Sequence, residues 1–246
     1  MKEKSVVLIE FTGRETDSGR VFDTTSEKTA KEHGLYRENG VFRPVPVIVG
    51  NRDVLEGIDE ALKEMREGET KKITLAPEKA FGLRRKELVV VIPLQEFRKR
   101  QIQPVPGLIV DLNGGYGRVQ TVSGGRVRID LNNDLAGKTV EYELKVLREM
   151  KEAQEKAQAL AEKFFPLKDK AEAVLEKDVL KVRLPKELAK QVAPLVEPFT
   201  KTVKETIPGI KKVEIEEKKN PKSAGTKEGK SAEKEQAESK KRFSGN

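Results

Sequence analysis

The feature that most limits the fold is an interruption. Residues 70–82, TKKITLAPEKAFG, read as a strand through Ile73 and Leu75, a turn led by Pro77, and an aromatic-glycine pair. The same style of sequence resumes only after about fifty residues, where Val140, Tyr142, Leu144 and Val146 alternate along one strand face. The stretch between runs LRRKELVVVIPLQEF to GGRVRIDL, short strands punctuated by Gly-Gly and Pro-x-Pro. This pattern predicts a host domain built from 1–83 and 133–150, with 84–132 inserted into one of its loops as a small β-rich module.

Within the host, SVVLIEFTG alternates as a strand buried on both faces near its start. Asp17-Ser18-Gly19 is a turn, and Val21-Phe22 returns to a sheet. A long polar flap covers 26–46, with a short helix around Thr29–His33. Pro44 and Pro46 then hold the chain extended into the short strand Val47–Val49, which Gly50 stops. DVLEGIDEALKEMREGE is the clearest helix. Val54, Leu55, Ile58, Ala61, Leu62 and Met65 form one apolar stripe. Asp53 is placed to cap it, Glu56 to complete a capping box, and Gly68 to supply the left-handed residue past its end.

Beyond Met150 the reading is a second α+β domain at 152–217. KEAQEKAQALAEKFF is a helix ended by Pro166, and a hairpin turns at Glu176-Lys177-Asp178. A helical stretch broken at Pro194 and Pro198 leads to a last strand in IKKVEIEE. Residues 218–246 carry almost no apolar side chains and are expected to be a disordered basic tail. The fold class is therefore α+β throughout.

Charge and composition exclude several functions. The net charge is +8, but the tail alone holds nine basic and four acidic residues, so the rest of the chain is nearly balanced. Nucleic acid is accordingly not expected as a partner, and the tail reads first as a solubilising segment. With no cysteine there is no disulfide framework, thiolate metal site or thiol nucleophile. His33 is the only histidine, which removes Ser-His and His-cluster chemistry. No metal and no cofactor are expected. The apolar run in MKEKSVVLIEF is too short for a signal core or a membrane span, so a soluble cytoplasmic protein is expected.

Three segments, VVLIEFTGRETDSGRVFDTT, VLEGIDEALKEMREGETKKITLAPEKAFG and LAGKTVEYELKVL, occur in this order and spacing. Together they resemble the FKBP-type peptidyl-prolyl cis-trans isomerases. Interruption after Phe81-Gly82, with return at an N-x-x-LAG stretch, is similar to the SlyD-like branch, and the added C-terminal domain to the long archaeal form. The resemblance implies an FKBP-like antiparallel sheet wrapped on one short helix, acting as a rotamase without a cofactor. It also implies an insert that binds unfolded chains. Phe11, Phe22, Val45, Val54, Leu55, Ile58, Phe81, Leu135 and Tyr142 would line the proline pocket. Asp23 would face the carbonyl that twists, with Lys28 as the candidate basic partner, and the Leu55 N–H would hold the substrate backbone. Relative to many of the family, Ile58 stands where a Trp forms the pocket floor, and Phe11 and Phe81 where Tyr is found.

The residue types suit that chemistry. Resonance gives the imide C–N bond a rotation barrier of roughly 18–20 kcal/mol, and the twisted state loses charge separation. A water-poor apolar pocket favours the twisted over the planar form. In the insert, VVVIPLQEF and GLIVDL carry more apolar side chains than a module of about fifty residues easily hides. They either form a binding surface for unfolded, proline-containing polypeptides or fill a small barrel. A non-catalytic holdase and a ribosome- or RNA-associated adaptor acting through the tail are the alternative functions. Dimerisation through 152–217 is carried as one option for the oligomeric state.

Overall fold

The computed structural model describes residues 1–38, 40–112, 114–165, 171–185 and 192–217. The expectations for Pro166, for the start of the helical stretch at 186–191 and for the tail at 218–246 lie outside the described residues. The chain divides into two units, Met1–Lys156 and Ala157–Asn246. The first carries β1 (Val6–Glu15), β2 (Val21–Thr24), α1 (Glu27–Glu32), β3 (Val45–Ile48), α2 (Glu56–Glu64) and β4 (Thr70–Leu75). It continues through β5 (Val89–Pro93), α3 (Leu94–Lys99), β6 (Ile109–Asp111), β7 (Tyr116–Ser123), β8 (Arg126–Asp130) and β9 (Val140–Met150).

The host sheet runs β2-β1-β9-β4, with β3 also paired to β1. The length of β1 makes this arrangement possible. One edge serves β3 at Val6–Ile9 and β2 at Thr12–Arg14, while β9 follows the other edge along the whole strand. Val6 and Val7 are both sealed, so the start of β1 is covered on both faces. The sheet face bearing Val7, Ile9, Val140, Leu144 and Val146 packs on Ile58, Ala61, Leu62 and Met65 of the α2 stripe. Each such side chain contributes about 1.5–3 kcal/mol on full burial. At Gly57 a methyl group would run into the Leu75 side chain, so glycine lets α2 lie close to β4. Overpacking costs about 1–3 kcal/mol, against about 1 kcal/mol gained from alanine's helix propensity. Gly57→Ala should therefore lower the midpoint of thermal unfolding followed by circular dichroism.

Two details of the helix differ from expectation. Asp53 does not cap α2. The helix starts at Glu56 behind Leu55, no side chain caps it, and the Asp53 carboxylate accepts from the Ile48 N–H at 2.9 Å and the Asn51 amide at 2.8 Å. The N–H at the end of β3 is the nearer orphan donor, and it takes the acceptor. Glu56 thus sits in the first turn without a capping box. Gly68 is left-handed (φ 81°), but it serves the turn into β4, donating its N–H to the Val146 carbonyl, while the helix already ends at Met65.

The insert is a four-stranded antiparallel sheet in the order β5-β8-β7-β6. Its core comprises Phe97, Val110, Val119, Val127 and Ile129. Phe97 comes from α3, a helix within the stretch VVVIPLQEF that strand propensity alone does not reveal. Pro93 ends β5 and precedes the helix, where its fixed φ is compatible with a helical start. The two connections to the host run side by side. Leu131 donates to Leu88, Arg85 and Asn132 exchange two hydrogen bonds, and the Gly137 N–H reaches the Gly82 carbonyl at 2.8 Å.

The second unit takes most of α4 (Ala153–Phe164), then β10 (Glu172–Glu176), β11 (Val179–Leu184), α5 (Ala193–Thr206) and β12 (Lys212–Glu217). β10 and β11 form the expected hairpin, with left-handed Lys177 in its turn, and β12 joins β11 in parallel through the crossover of α5. Pro194 and Pro198 do not break this helix. Pro194 lies in the first turn, where its missing N–H is harmless, and Pro198 removes one ladder bond near the N-terminal end. Phe165 and Phe199 fill the core with ring centroids 5.0 Å apart. The Gln158 amide ties α4 to Ala171 and Ala173. Among the described residues no helix is long and apolar enough to cross a membrane.

Candidate active site

The host sheet carries a chain of aromatic rings. Phe11 meets Tyr142 at 5.9 Å, Tyr142 meets Phe22 at 5.7 Å, and Phe22 meets Phe81 at 5.6 Å, all edge to face. Such pairs contribute about 0.5–1.5 kcal/mol each beyond burial. They hold the rings in fixed orientations.

The three phenylalanine rings arrive by separate local devices. Phe11 is clamped through its backbone: its N–H donates to the Thr25 hydroxyl at 2.9 Å, and its carbonyl accepts from the Thr25 N–H at 3.0 Å. Phe22 sits at a β-bulge. Gly13 pairs with Asp23 and Arg14 with Val21, so Phe22 is the extra residue and does not take the alternation of an ordinary strand. Phe81 follows the 3₁₀ turn Pro77–Lys79, closed by the Gly82 N–H donating to the Pro77 carbonyl at 2.6 Å. The phrase LAPEKAFG therefore delivers a ring and then releases the chain into the insert.

Val45, Val54 and Leu55 are half-buried and packed against the same core as the rings, and Ile58 is sealed within it. Ile73 and Ala80 join them, though neither is among the nine lining positions the resemblance implies. Leu135 is buried in the turn back to β9 but stands outside this cluster. Asp23 is exposed as a residue, close enough to Tyr142 for its charge to act on the phenol. Partial desolvation of its carboxyl pushes its pKa above the ordinary value, opposed by a hydrogen bond from the Thr24 backbone. Lys28 is not its partner: its ammonium lies 4.0 Å from Glu32 on the next turn of α1. The Leu55 N–H meets no hydrogen-bond acceptor among the described residues, because it precedes the first turn of α2.

Gly13 belongs to this site, and sequence reasoning passed over it. A Cβ there would come within 2.8 Å of the Tyr142 ring and 2.9 Å of Phe22. A glycine inside a strand is the signal that could have marked it. Among the described residues no group of three His, Cys, Asp or Glu side chains is arranged to hold a metal ion. The arrangement offers four linked aromatic rings backed by apolar side chains, one exposed carboxylate near them, one tyrosine hydroxyl and one unengaged backbone N–H.

Comparison with known proteins identifies relatives of this chain. The family model of FKBP-type peptidyl-prolyl cis-trans isomerases matches residues 1–96, and the model of the FKBP26 IF domain matches 90–135. The chain belongs to the FKBP-type peptidyl-prolyl cis-trans isomerase family, and it is an isomerase of that type. It is 36% identical over 128 residues to the short-type peptidyl-prolyl cis-trans isomerase of Methanocaldococcus jannaschii, covering 52% of this chain and 82% of the relative. It is 28% identical over 147 residues to the isomerase SlyD of Helicobacter pylori, covering 58% of this chain and 72% of that one. The FKBP-type 16 kDa isomerase of Escherichia coli is likewise 28% identical, over 60% of this chain and 92% of its own length. Among solved structures, the three FKBP domains of wheat FKBP73 align at 20% identity over 61% of this chain. This chain spans 40% of that one, and the TM-score of 0.32 is too low for the likeness to bear on the fold.

Proposed function

We propose that the ring-walled recess is where this isomerase twists the prolyl bond, and that the insert captures unfolded segments and presents their prolines to it. Phe11, Phe22, Phe81 and Tyr142 wall the prolyl ring, Ile58 floors the recess, and Val45, Val54 and Leu55 border it. Leu135 lies outside the ring cluster and is assigned a bordering role only. The Leu55 N–H, with no partner of its own, suits a substrate carbonyl. Asp23 sets the local field at the carbonyl that twists and takes no proton. Substrates are proline-containing and unfolded polypeptides rather than nucleic acid, and the absence of cysteine suits work in a reducing cytoplasm.

The observation supporting the role of the insert is the open face of its sheet. Val90, Ile129 and Val110 point to the core, so strand alternation puts Val91, Ile109 and Tyr116 on the opposite side. These three are 58%, 57% and 71% exposed, and Arg118 and Arg128 lie between them in register. Apolar side chains set among charged ones, with Asp111 paired to Tyr116, can hold extended chain of mixed character. Replacing Val91, Ile109 and Tyr116 together by serine leaves the core untouched. The expected outcome is loss of aggregation suppression on a denatured model protein, with the rate on a short proline peptide unchanged. Full suppression by the triple variant would show that client chains bind elsewhere.

A further inference from the structure

Asp23, Gly13 and Tyr142 form one rung across three strands: Gly13 of β1 pairs with Asp23 of β2 on one side and with Tyr142 of β9 on the other. Side chains on a rung share a face, and here the middle one is missing. Tyr142 fills the gap. Its Cε1 and Cζ stand 2.8 and 2.9 Å from the point a Gly13 Cβ would occupy. The hydroxyl, bonded to Cζ, is therefore carried across β1 toward the Asp23 end of the rung.

Tyr142 is only 2% exposed, yet no described residue hydrogen-bonds its hydroxyl, and the oxygen is not sealed from solvent. Buried tyrosines usually spend their O–H on a protein partner. This one keeps its donor free among the described residues. The proton is firmly held, because burial first and the Asp23 charge second both push the phenol pKa upward.

We propose that the Tyr142 hydroxyl is a catalytic hydrogen-bond donor to the imide nitrogen of the prolyl bond in its twisted state. In the planar imide the nitrogen lone pair is delocalised into the carbonyl and accepts poorly. As the bond twists, that pair localises on nitrogen and becomes a good acceptor. A donor waiting there interacts more strongly with the transition state than with the ground state, which is what lowers a barrier. Donation to the carbonyl oxygen would do the reverse, since that oxygen is most negative in the planar form. The Asp23 carboxylate at the other end of the rung disfavours the negative oxygen and so works in the same sense. No covalent bond forms or breaks, and Tyr142 keeps its proton. This role rests on the reading that the recess holds the prolyl ring.

The test compares Tyr142→Phe with Tyr142→Ala on a short proline peptide, measuring kcat and KM separately together with thermal stability. Tyr142→Phe keeps the ring and loses only the donor. The expected result is a kcat about tenfold lower, the scale of one hydrogen bond, with KM and melting temperature unchanged. Tyr142→Ala loses more, and if it does not fold, Phe22→Ala is the control for the recess. A Tyr142→Phe variant with wild-type kcat overturns the hydroxyl's role, whether or not KM rises. If the alanine control is then still impaired, the recess assignment stands. If both variants turn over peptide at the wild-type rate, recess and hydroxyl fall together.

Discussion

A chain in which residues 84–132 are replaced by a short glycine-containing turn should fold and isomerise a short proline peptide within about tenfold of the intact protein, or about 1.4 kcal/mol in barrier. The geometry at the junction is the reason. Gly82 and Gly137 are already joined by a 2.8 Å hydrogen bond, so the cut ends lie side by side without strain. Phe81 is fixed by the turn before the junction and Tyr142 by β9 after it, and neither ring depends on a contact from the insert core. The ion pair between Arg118 and Asp134 is lost with the insert, but both side chains are largely exposed and such pairs contribute at most about 1 kcal/mol. Protein substrates should behave differently. Linked binding raises overall affinity by about 10²–10⁴, so catalysis of a proline-limited refolding reaction should fall by far more than the peptide rate. Suppression of aggregation should disappear with it. A deletion variant that accelerates refolding as well as the intact chain would leave the insert without a part in catalysis.

What could be read from the sequence, and what could not, follows the range of the interactions. The α2 stripe from Ile58 to Leu62 and the alternation of β9 depend on residues a few positions apart, and they are present, although Val54 and Leu55 precede the helix. The failures come where a distant group competes for a side chain. Asp53 has the right spacing for a cap, but the Ile48 N–H takes its carboxylate. Phe97 is three residues past a run of strand formers, and only the sheet it covers makes its segment helical. Pro198 looks like a stop, yet the helix around it is held by the burial of Phe199 and Val203. Around the rings, the apolar positions that pack together, all of those named except Leu135, were legible through the three matching segments. The bulge that singles out Phe22 and the empty place at Gly13 were not, because both are properties of strand pairing rather than of any residue alone.

Phe22 depends on that pairing for its place, and its removal should have a large effect on catalysis. It stands between Tyr142 and Phe81, touching both edge to face, so Phe22→Ala breaks two of the three ring contacts at once. The Tyr142 and Phe81 rings then lose their mutual spacer and can rotate into the vacated space, narrowing the recess and admitting water. A wetter site no longer favours the less polar twisted imide. We expect kcat/KM to fall by about 10²-fold, or about 2.7 kcal/mol, on short peptides and protein substrates alike. The stability loss should be smaller than the about 3–5 kcal/mol of a fully buried phenylalanine, because Phe22 is half-buried. Affinity for a permanently unfolded protein should be unchanged, since the open face of the insert is intact. Phe22→Leu, which keeps apolar volume without the quadrupole, should fall between the two. Wild-type turnover by Phe22→Ala would mean that the prolyl ring binds somewhere other than among these four aromatic side chains.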